Sequence, residues 1–367
     1  MKKEMKELEN VNIKNLFIPE KKKTDRLKVG VIGAGKMGLL HSGIFYNLDR
    51  SILSAISENN KNIAKVIKYC IPDVKIYQNY EEMLENENLD IVVIATPVFL
   101  HKRMIENAIN HNTHVFVEKP LALNGKECRS ILDKSSKKKT LVGYCRRFMG
   151  TYKMAKDLIE NEELGNVKSF KAHLFVDQVS RQGKGWLYNP EKSGGGVLID
   201  LGSHAIDLFH YLFGDIIKVT ATGKSIYNKK VEDYVSVNFI IKNSIFGSLE
   251  VSWSIKNYRL PELSIEIVLD NGSIIVTEKY IKIYSEKDTP QLKKGWNSFF
   301  KQDLTKNIPI NIGGPEYTLE DLHFLNCIMI NKKSLCDFQE GAKTNYVIDK
   351  IYTSIKNNSQ EIINYEV

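Results

Sequence analysis

Short apolar runs alternate with helical segments along the first part of the chain, and this alternation limits the possible folds more than any other feature. Five runs have the composition of buried strands: LKVGVI (27–32), ILSAIS (52–57), DIVVIAT (90–96), HVFVEK (114–119) and TLVGYC (140–145). Intervening stretches such as HKRMIENAINH have the spacing of apolar residues that is typical of amphipathic helices. Apolar strands separated by helices predict a parallel sheet covered on both faces, the doubly wound α/β architecture.

The pattern changes after residue 146. A predicted helix (151–163) and strand (167–176) are followed by a glycine-led helix and then by a long series of strands. Two of these strands are separated by DNGS, a hairpin signal, and NYVIDKIYTSIKNN near the end has the pattern of an amphipathic helix. We therefore expect a C-terminal α/β domain (147–367) with an open, mostly antiparallel sheet and helices on one face.

A glycine-rich turn joins the first strand to the first helix. In GVIGAGKMG, Gly33, Gly35 and Gly38 have GxGxxG spacing, and Glu58 follows the second strand. Gly33 permits the tight turn, Gly35 lets the backbone approach a pyrophosphate, and Gly38 lets the helix pack on the strand. Glu58 can accept hydrogen bonds from ribose hydroxyls. These features predict a Rossmann NAD(P)-binding domain over residues 27–146, after an N-terminal arm (1–26).

Glu58 also bears on which dinucleotide binds. A carboxylate at this position repels the additional phosphate of NADP and suits the free hydroxyls of NAD, so NAD is the expected cofactor. Lys61 lies nearby in the sequence and could contact the additional phosphate, so NADP remains an alternative cofactor. The alternative interpretation of Glu58 itself is that it caps a solvated loop. The predicted cofactor-binding residues lie at the ends of successive strands and are Gly33, Ala34, Gly35, Lys36, Met37, Gly38, Glu58, Thr96, Pro97, His101, Glu118 and Lys119.

Two further segments carry groups suited to acid–base chemistry. The fifth strand ends in VEKP, which places Glu118 and Lys119 at the carboxyl edge of the sheet. In SGGGVLIDLGSHAID, Asp200 and His204 are four residues apart, on one face of a helix, after three glycines that we expect to make room for a substrate. We predict that His204 removes a hydroxyl proton, that Lys119 stabilises charge on the oxygen and that Asp200 orients them. The alternatives are a surface Glu–Lys pair, a packed histidine and a helix N-terminal acid.

These motifs resemble those of a known family, the Gfo/Idh/MocA oxidoreductases, which include inositol and glucose dehydrogenases. VGVIGAGKMG, TPVFLH, HVFVEKPLA, GYCRRF and SGGGVLIDLGSHAIDL occur in the family's order and approximate spacing. The resemblance implies a Rossmann domain followed by an α/β domain whose open sheet mediates homodimers or homotetramers. It also implies that Lys119, Asp200 and His204 form the catalytic set, and that Arg147, in CRRF, lies near the substrate. The arm is additional to the family pattern. We expect it either to be disordered or to dock its apolar residues on another subunit.

Three classes of function fit the resemblance. The first is an oxidoreductase that transfers a hydride between nicotinamide and a secondary alcohol of a sugar, cyclitol or nucleotide sugar. The second is a redox-assisted lyase or glycosidase with a catalytic NAD, and the third is a regulatory member without catalysis. Loss of Lys119 or His204 would mark the third class, and both are present. The predicted substrate-binding residues are Arg147, Trp186, Asp200 and His204.

The prediction of a nucleotide-linked substrate depends on one cluster of side chains around the glycine-led helix. Its cations suit a diphosphate and its aromatic rings can stack on a sugar ring, whereas the alternative is that they form the domain junction. The members of this cluster are Arg146, Arg147, Arg181, Lys184, Trp186 and Tyr188.

Composition argues against other partners. The 367 residues are 43% hydrophobic, without a run near the roughly 18 apolar residues of a membrane span and without an apolar signal core at the N-terminus. The five cysteines contain no CxxC pair, so we expect neither a disulfide framework nor a zinc site. The net charge of +8 is spread along the chain. We therefore expect a cytoplasmic protein that binds no nucleic acid, membrane or metal.

Overall fold

The structure is a computed structural model that describes residues 26–178, 185–305 and 307–365. Within these ranges the chain forms one parallel and one mixed sheet, each with its own buried core. The predictions made for the arm and for Arg181 and Lys184 lie outside the described residues, apart from Arg26.

The N-terminal sheet has six parallel strands in the order β3-β2-β1-β4-β5-β6. Its elements are β1 (Leu27–Ile32), α1 (Lys36–Asn47), β2 (Ser51–Ser57), α2 (Lys61–Cys70), β3 (Lys75–Tyr77), α3 (Tyr80–Asn86), β4 (Ile91–Ile94), α4 (His101–Asn110), β5 (His114–Glu118), α5 (Gly125–Ser135) and β6 (Thr140–Gly143). All four residues of β4 are fully buried, which confirms a sheet covered on both faces. The strand order reverses between β1 and β4, and such a reversal opens a ligand crevice at the carboxyl ends of the strands.

The second sheet, as far as the structure describes it, has nine strands in the order β14-β13-β12-β11-β7-β10-β9-β8-β15. Its elements and helices are α6 (Gly150–Glu160), β7 (Val167–Phe175), α7 (Pro190–Ser193), a π-helical turn (Leu198–Gly202), α8 (Ser203–Phe213), β8 (Ile216–Lys224), β9 (Tyr234–Ile241), β10 (Ile245–Ser252), β11 (Glu262–Leu269), β12 (Gly272–Thr277), β13 (Tyr280–Ser285), β14 (Gly295–Phe300), α9 (Lys301–Leu304), α10 (Pro315–Met329), α11 (Phe338–Asn357) and β15 (Glu361–Ile362). Only β7 and β10 pair in parallel among these strands, so the expected mostly antiparallel sheet is confirmed.

One face of this sheet is covered and the other is open. In β7, Phe170, Ala172 and Leu174 are buried, whereas the residues between them are partly or fully exposed. The buried side chains join those of α8 and α11 in a single core that includes Phe209 and Val347. This alternation is the period-two pattern of a sheet that packs helices on one side.

The predicted domain division needs one correction. We expected residues 147–367 to belong to the second domain, but Phe324 of α10 and Phe338 and Ala342 of α11 are buried in the core of the N-terminal sheet. Strand β6 ends that sheet, and its apolar surface requires cover. The chain returns to supply it: the N–H of Val142 donates to the carbonyl of Cys336.

Candidate active site

A cleft of about 660 Å³ lies at the carboxyl ends of β1, β2, β4 and β5 and is bordered by residues around the π-helical turn. This volume is typical of small-molecule sites. The predicted site residues that line it are Gly33, Ala34, Gly35, Lys36, Met37, Glu58, Thr96, Pro97, Glu118, Lys119, Trp186 and Asp200. The predicted residues that do not line it are Gly38, His101, Arg147 and His204.

The glycine turn leaves an open space in front of α1. Gly33 has φ +90°, and a Cβ there would lie 2.8 Å from the Ala95 carbonyl oxygen. A Cβ on Gly38 would lie 1.8 Å from the Gly33 carbonyl oxygen, so Gly38 is required for packing behind the cleft. A Cβ on Gly35 would meet no atom within 4 Å. The free space at Gly35, beside the helix N-terminus, fits a pyrophosphate.

Glu58 follows β2 and lies in the wall of the cleft. Its Oε2 accepts a hydrogen bond from Ala34 N at 2.9 Å, and its Oε1 accepts one from Asn60 N at 2.8 Å. The side chain is therefore held in place, and each carboxylate oxygen keeps a further lone pair for a ribose hydroxyl. This arrangement fits the predicted role of Glu58.

The structure corrects the prediction that His101 contacts the cofactor. The ring is 1% exposed, and its nitrogens each lie 2.9 Å from a carbonyl oxygen, those of Pro120 and Thr96. Burial lowers the pKa of His101. The imidazole therefore ties together two loops that border the cleft and does not reach the ligand space.

Lys119 and Asp200 meet across the two domains. Lys119 Nζ donates to the Asp200 carbonyl oxygen at 2.8 Å and to Asp200 Oδ1 at 3.0 Å. The two side chains are 17% and 20% exposed, so both remain accessible from the cleft. The structure thus brings together two members of the predicted catalytic set.

His204 follows Asp200 on the first turn of α8. Its ring is partly exposed, and within the described part of the chain its buried Nδ1 has no hydrogen-bond partner. Burial, and then the positive charges of Arg146 and Lys119, lower the pKa of His204 well below 6.5. The imidazole is therefore neutral at physiological pH and able to accept a proton.

The three glycines before this helix have a structural reason that differs from the prediction. A Cβ on Gly195 would lie 1.9 Å from the Tyr352 hydroxyl, and one on Gly196 would lie 2.0 Å from the Glu232 carbonyl oxygen. The N–H of Gly196 also donates to the Glu232 carboxylate at 2.9 Å. The glycines therefore let the chain pack closely against Glu232 and Tyr352, and the expectation that they make room for a substrate is corrected.

The structure also corrects the placement of Arg147. Its side chain is 3% exposed, its Nε and Nη2 donate to the two carboxylate oxygens of Asp207 at 2.9 and 2.8 Å, and its Nη1 donates to the Leu335 carbonyl. The Asp207 charge raises the pKa of Arg147 above its usual value despite burial. The guanidinium therefore joins α8 to the segment before α11 and does not face the cleft.

The other members of the proposed nucleotide cluster divide between the cleft and the core. Trp186 lines the cleft, is 39% exposed and packs its edge against Phe99. Tyr188 is buried beside Trp253. Arg146 Nη2 pairs with Glu278 at 3.1 Å.

A buried His–Glu–Asp triad lies beside the cleft and was not predicted from the sequence. His41, on α1, lies between the carboxylates of Glu118 and Asp321. A signal for His41 was present, because a histidine three residues after Gly38 falls on the inward side of α1. No local signal marks Asp321, which is 280 residues away from His41.

The fold and the cleft together define a dinucleotide-binding enzyme of the dehydrogenase type. A family model described as an oxidoreductase family with an NAD-binding Rossmann fold matches residues 27–144, and a model of the GFO/IDH/MocA C-terminal domain matches residues 152–275. The chain belongs to the Gfo/Idh/MocA family of oxidoreductases, and its N-terminal half is an NAD-binding domain. The space at Gly35 and the carboxylate of Glu58 fit this cofactor.

Three curated relatives illustrate the similarity. The chain is 30% identical to an oxidoreductase of Formosa agariphila over 229 residues, and this aligned region covers 60% of this chain and 70% of the relative. It is 29% identical over 240 residues to glucose-6-phosphate 3-dehydrogenase of Bacillus subtilis, with 61% and 67% covered. It is 26% identical over 208 residues to myo-inositol 2-dehydrogenase of Thermotoga maritima, with 56% and 60% covered.

The fold is that of a solved dehydrogenase. A structure of levoglucosan dehydrogenase in complex with NADH and levoglucosan superposes with a TM-score of 0.85 at 22% identity, and the match covers 93% of this chain and 100% of that chain. Among the described residues, no helix is both long and apolar enough to cross a membrane, and no group of three or more His, Cys, Asp or Glu side chains could hold a metal ion.

Proposed function

We propose that this protein is an NAD-dependent dehydrogenase that oxidises a secondary alcohol of a free sugar or cyclitol. The observation that carries the proposal is the Lys119–Asp200 contact in the wall of the NAD cleft, with a neutral His204 four residues after Asp200. Alcohol oxidation requires a base for the hydroxyl proton and a positive group near the oxygen, and these residues supply both.

Each of the three residues has a distinct task. Lys119 lies in the cleft and donates a hydrogen bond to the substrate oxygen, while Asp200 holds its ammonium in place through two contacts. Nδ1 of His204 is buried, so Nε2 is the nitrogen that takes the hydroxyl proton. NAD, when bound, supplies the acceptor for the hydride that leaves the carbon bearing this hydroxyl. The products are a ketone, a reduced nicotinamide and a protonated His204.

The pairing of the arginines favours a free sugar or cyclitol over a nucleotide sugar. Arg147 is held by Asp207 and Arg146 by Glu278, so their charges are already offset by carboxylates. Trp186 offers an exposed aromatic ring in the cleft, suited to the apolar face of a pyranose or cyclitol ring. The relatives named above include dehydrogenases of a sugar phosphate and of an inositol, and neither of these substrates is linked to a nucleotide.

The test is a turnover assay with a substrate panel. Purified protein is mixed with NAD or NADP and with inositols, free aldoses, levoglucosan or UDP-sugars, and reduced nicotinamide is followed by absorbance. We expect turnover with NAD and a free sugar or cyclitol, lost in Lys119→Ala and His204→Ala. Lys134→Ala and His111→Ala are matched controls, because both residues lie on the surface of the N-terminal domain, and they should keep activity.

Each other result contradicts part of the proposal. Turnover with UDP-sugars alone would show that the substrate is a nucleotide sugar. Product formation without net NADH would support the redox-assisted lyase or glycosidase. Activity that survives in both Lys119→Ala and His204→Ala would refute the assignment of the catalytic residues.

We also propose that the open face of the second sheet joins copies of this chain as a homodimer or homotetramer. Phe246 of β10 and Val268 of β11 are 62% and 50% exposed on this face, and burying such residues drives association. Light scattering after size exclusion tests the proposal. A monomeric mass at micromolar concentration would contradict it.

A further inference from the structure

The buried triad connects the cleft to α10. The His41 ring lies between two carboxylates, with Nε2 3.1 Å from Glu118 Oε1 and Nδ1 2.9 Å from Asp321 Oδ1. The His41 and Asp321 side chains are fully buried, whereas Glu118 is 12% exposed and lines the cleft. Glu118 is thus the member of the triad that a ligand can meet.

The chemistry of the contacts makes His41 a cation. Ionised carboxylates only accept hydrogen bonds, so the ring donates from both nitrogens and is positively charged. Burial alone lowers the pKa of His41, but Asp321 and Glu118 reverse this effect and raise it well above 6.5. The described ionisable groups that surround the ring are Glu118 from β5 and Asp321, Glu320 and Tyr317 from α10. Burial raises the pKa of Glu320 well above its usual value, which favours the neutral form of this neighbour.

Glu118 lies at the nicotinamide end of the cleft. Glu58, Gly35, Glu118 and Lys119 all line this cleft. With the adenine ribose at Glu58 and the pyrophosphate at Gly35, the nicotinamide half of the cofactor would extend toward Glu118 and Lys119. The nicotinamide ring is positively charged in NAD⁺ and neutral in NADH. A carboxylate at this end therefore favours the oxidised form, and a cation behind that carboxylate reduces the preference.

We propose that His41 is a positioning residue that holds Glu118 in the cleft wall, offsets its charge and thereby sets the relative affinity of the cleft for NAD⁺ and NADH. The proposal rests on the assignment of the cleft as the NAD site. It concerns the balance between the two forms of the cofactor, whatever alcohol is oxidised. Asp321, held on α10, keeps the imidazole charged and oriented.

Two substitutions change the charge at Glu118 in opposite directions. His41→Gln removes the cation, and burial raises the pKa of Asp321, so that this carboxyl takes up a proton once the imidazole is gone. The net charge of the triad then stays at −1, but the positive charge next to Glu118 is lost. Glu118→Gln removes the negative charge itself. A unit charge acting over about 10 Å at an effective dielectric constant of about 20 changes a ratio of dissociation constants about tenfold.

The measurement is binding, without turnover. The Kd of NADH is measured by nicotinamide fluorescence and that of NAD⁺ by titration calorimetry, at pH 7, for the wild type and each variant. We expect the ratio of the Kd of NADH to the Kd of NAD⁺ to rise about twofold in His41→Gln, where only the distribution of charge changes, and to fall about tenfold in Glu118→Gln, where a unit charge is removed. His210→Leu removes a buried histidine from the other core and should leave the ratio unchanged.

The ratio distinguishes a charge effect from structural damage. A loss of packing weakens both forms of the cofactor by the same factor, so an unchanged ratio in the two variants would overturn the proposal. If His41→Gln does not fold, Glu118→Gln decides alone, because its side chain is partly exposed. A wild-type protein that binds neither form would instead refute the assignment of the cleft.

Discussion

His210 is a buried imidazole that we expect to make the folded chain sensitive to acid. The residue lies on α8, is 7% exposed and, among the described residues, has no hydrogen-bond partner for either ring nitrogen. Its Nδ1 is 3.9 Å from Asp215 Oδ1, too far for a hydrogen bond. Burial, and then the charge of Arg147, lower the pKa of His210 to about 3.

The two pKa values set the sign and the size of the effect. In the unfolded chain a histidine titrates near pH 6.5, so as the pH falls the unfolded state takes up the proton first. The contribution of His210 to stability is therefore complete above about pH 6.5 and is lost progressively down to about pH 3. Between pH 7.5 and pH 5 the loss is about 2 kcal/mol.

Urea unfolding of the wild type and of His210→Leu at these two pH values tests the argument. The variant should be at least as stable at pH 7.5, because two buried polar atoms without partners are removed. On acidification it should lose about 2 kcal/mol less than the wild type. His111→Leu, at an exposed ring, should follow the wild type. Parallel loss of stability in the wild type and His210→Leu would refute the reasoning.

Gly35→Ala should keep the melting temperature, because its Cβ meets no protein atom within 4 Å, yet weaken NADH binding at least about tenfold; unchanged affinity in a fluorescence titration would contradict the pyrophosphate position. Asp207→Asn leaves the charge of Arg147 buried without its carboxylate and should lower the free energy of unfolding by about 3–5 kcal/mol in urea; a loss below about 1 kcal/mol would show that the pair contributes little. Because the pKa of His204 is lowered, its base form persists in mild acid, so the acid limb of kcat/KM for alcohol oxidation should lie below pH 6.5; a limb above that value would argue against His204 as the base.

The parts of the fold that the sequence predicted are those with local patterns. Strands β1, β2, β4 and β5 are largely apolar runs, because central parallel strands are covered on both faces. Strand β6 lies at the edge but is equally apolar, because the segment before α11 covers it. Strand β3 has only three residues, and β14 exposes Trp296 at the sheet edge, so neither has the composition of a buried strand. Edge strands carry a weak signal because one side faces water.

The candidate site divides in the same way. Gly35, Glu58 and Lys119 lie in contiguous sequence motifs whose chemistry can be inferred from the residue types. Arg147 was expected near the substrate because of the family resemblance, and its partner, Asp207, could not be identified from spacing: the two lie 60 residues apart and meet only after α8 packs. The structural reason for the glycine run could not be predicted either, because the residues that pack against it, Glu232 and Tyr352, are distant in the sequence.

The return of α10 and α11 to the first sheet has a consequence for biosynthesis. Strand β6 emerges from the ribosome long before Phe324 and Phe338. The nascent chain therefore exposes part of the apolar surface of the first sheet until its last fifth has emerged. The N-terminal half can take up its strand order early but cannot close its core alone. We therefore expect a fragment that stops at residue 275, where the second family match ends, to aggregate or to be captured by chaperones, although it retains every residue that lines the cleft.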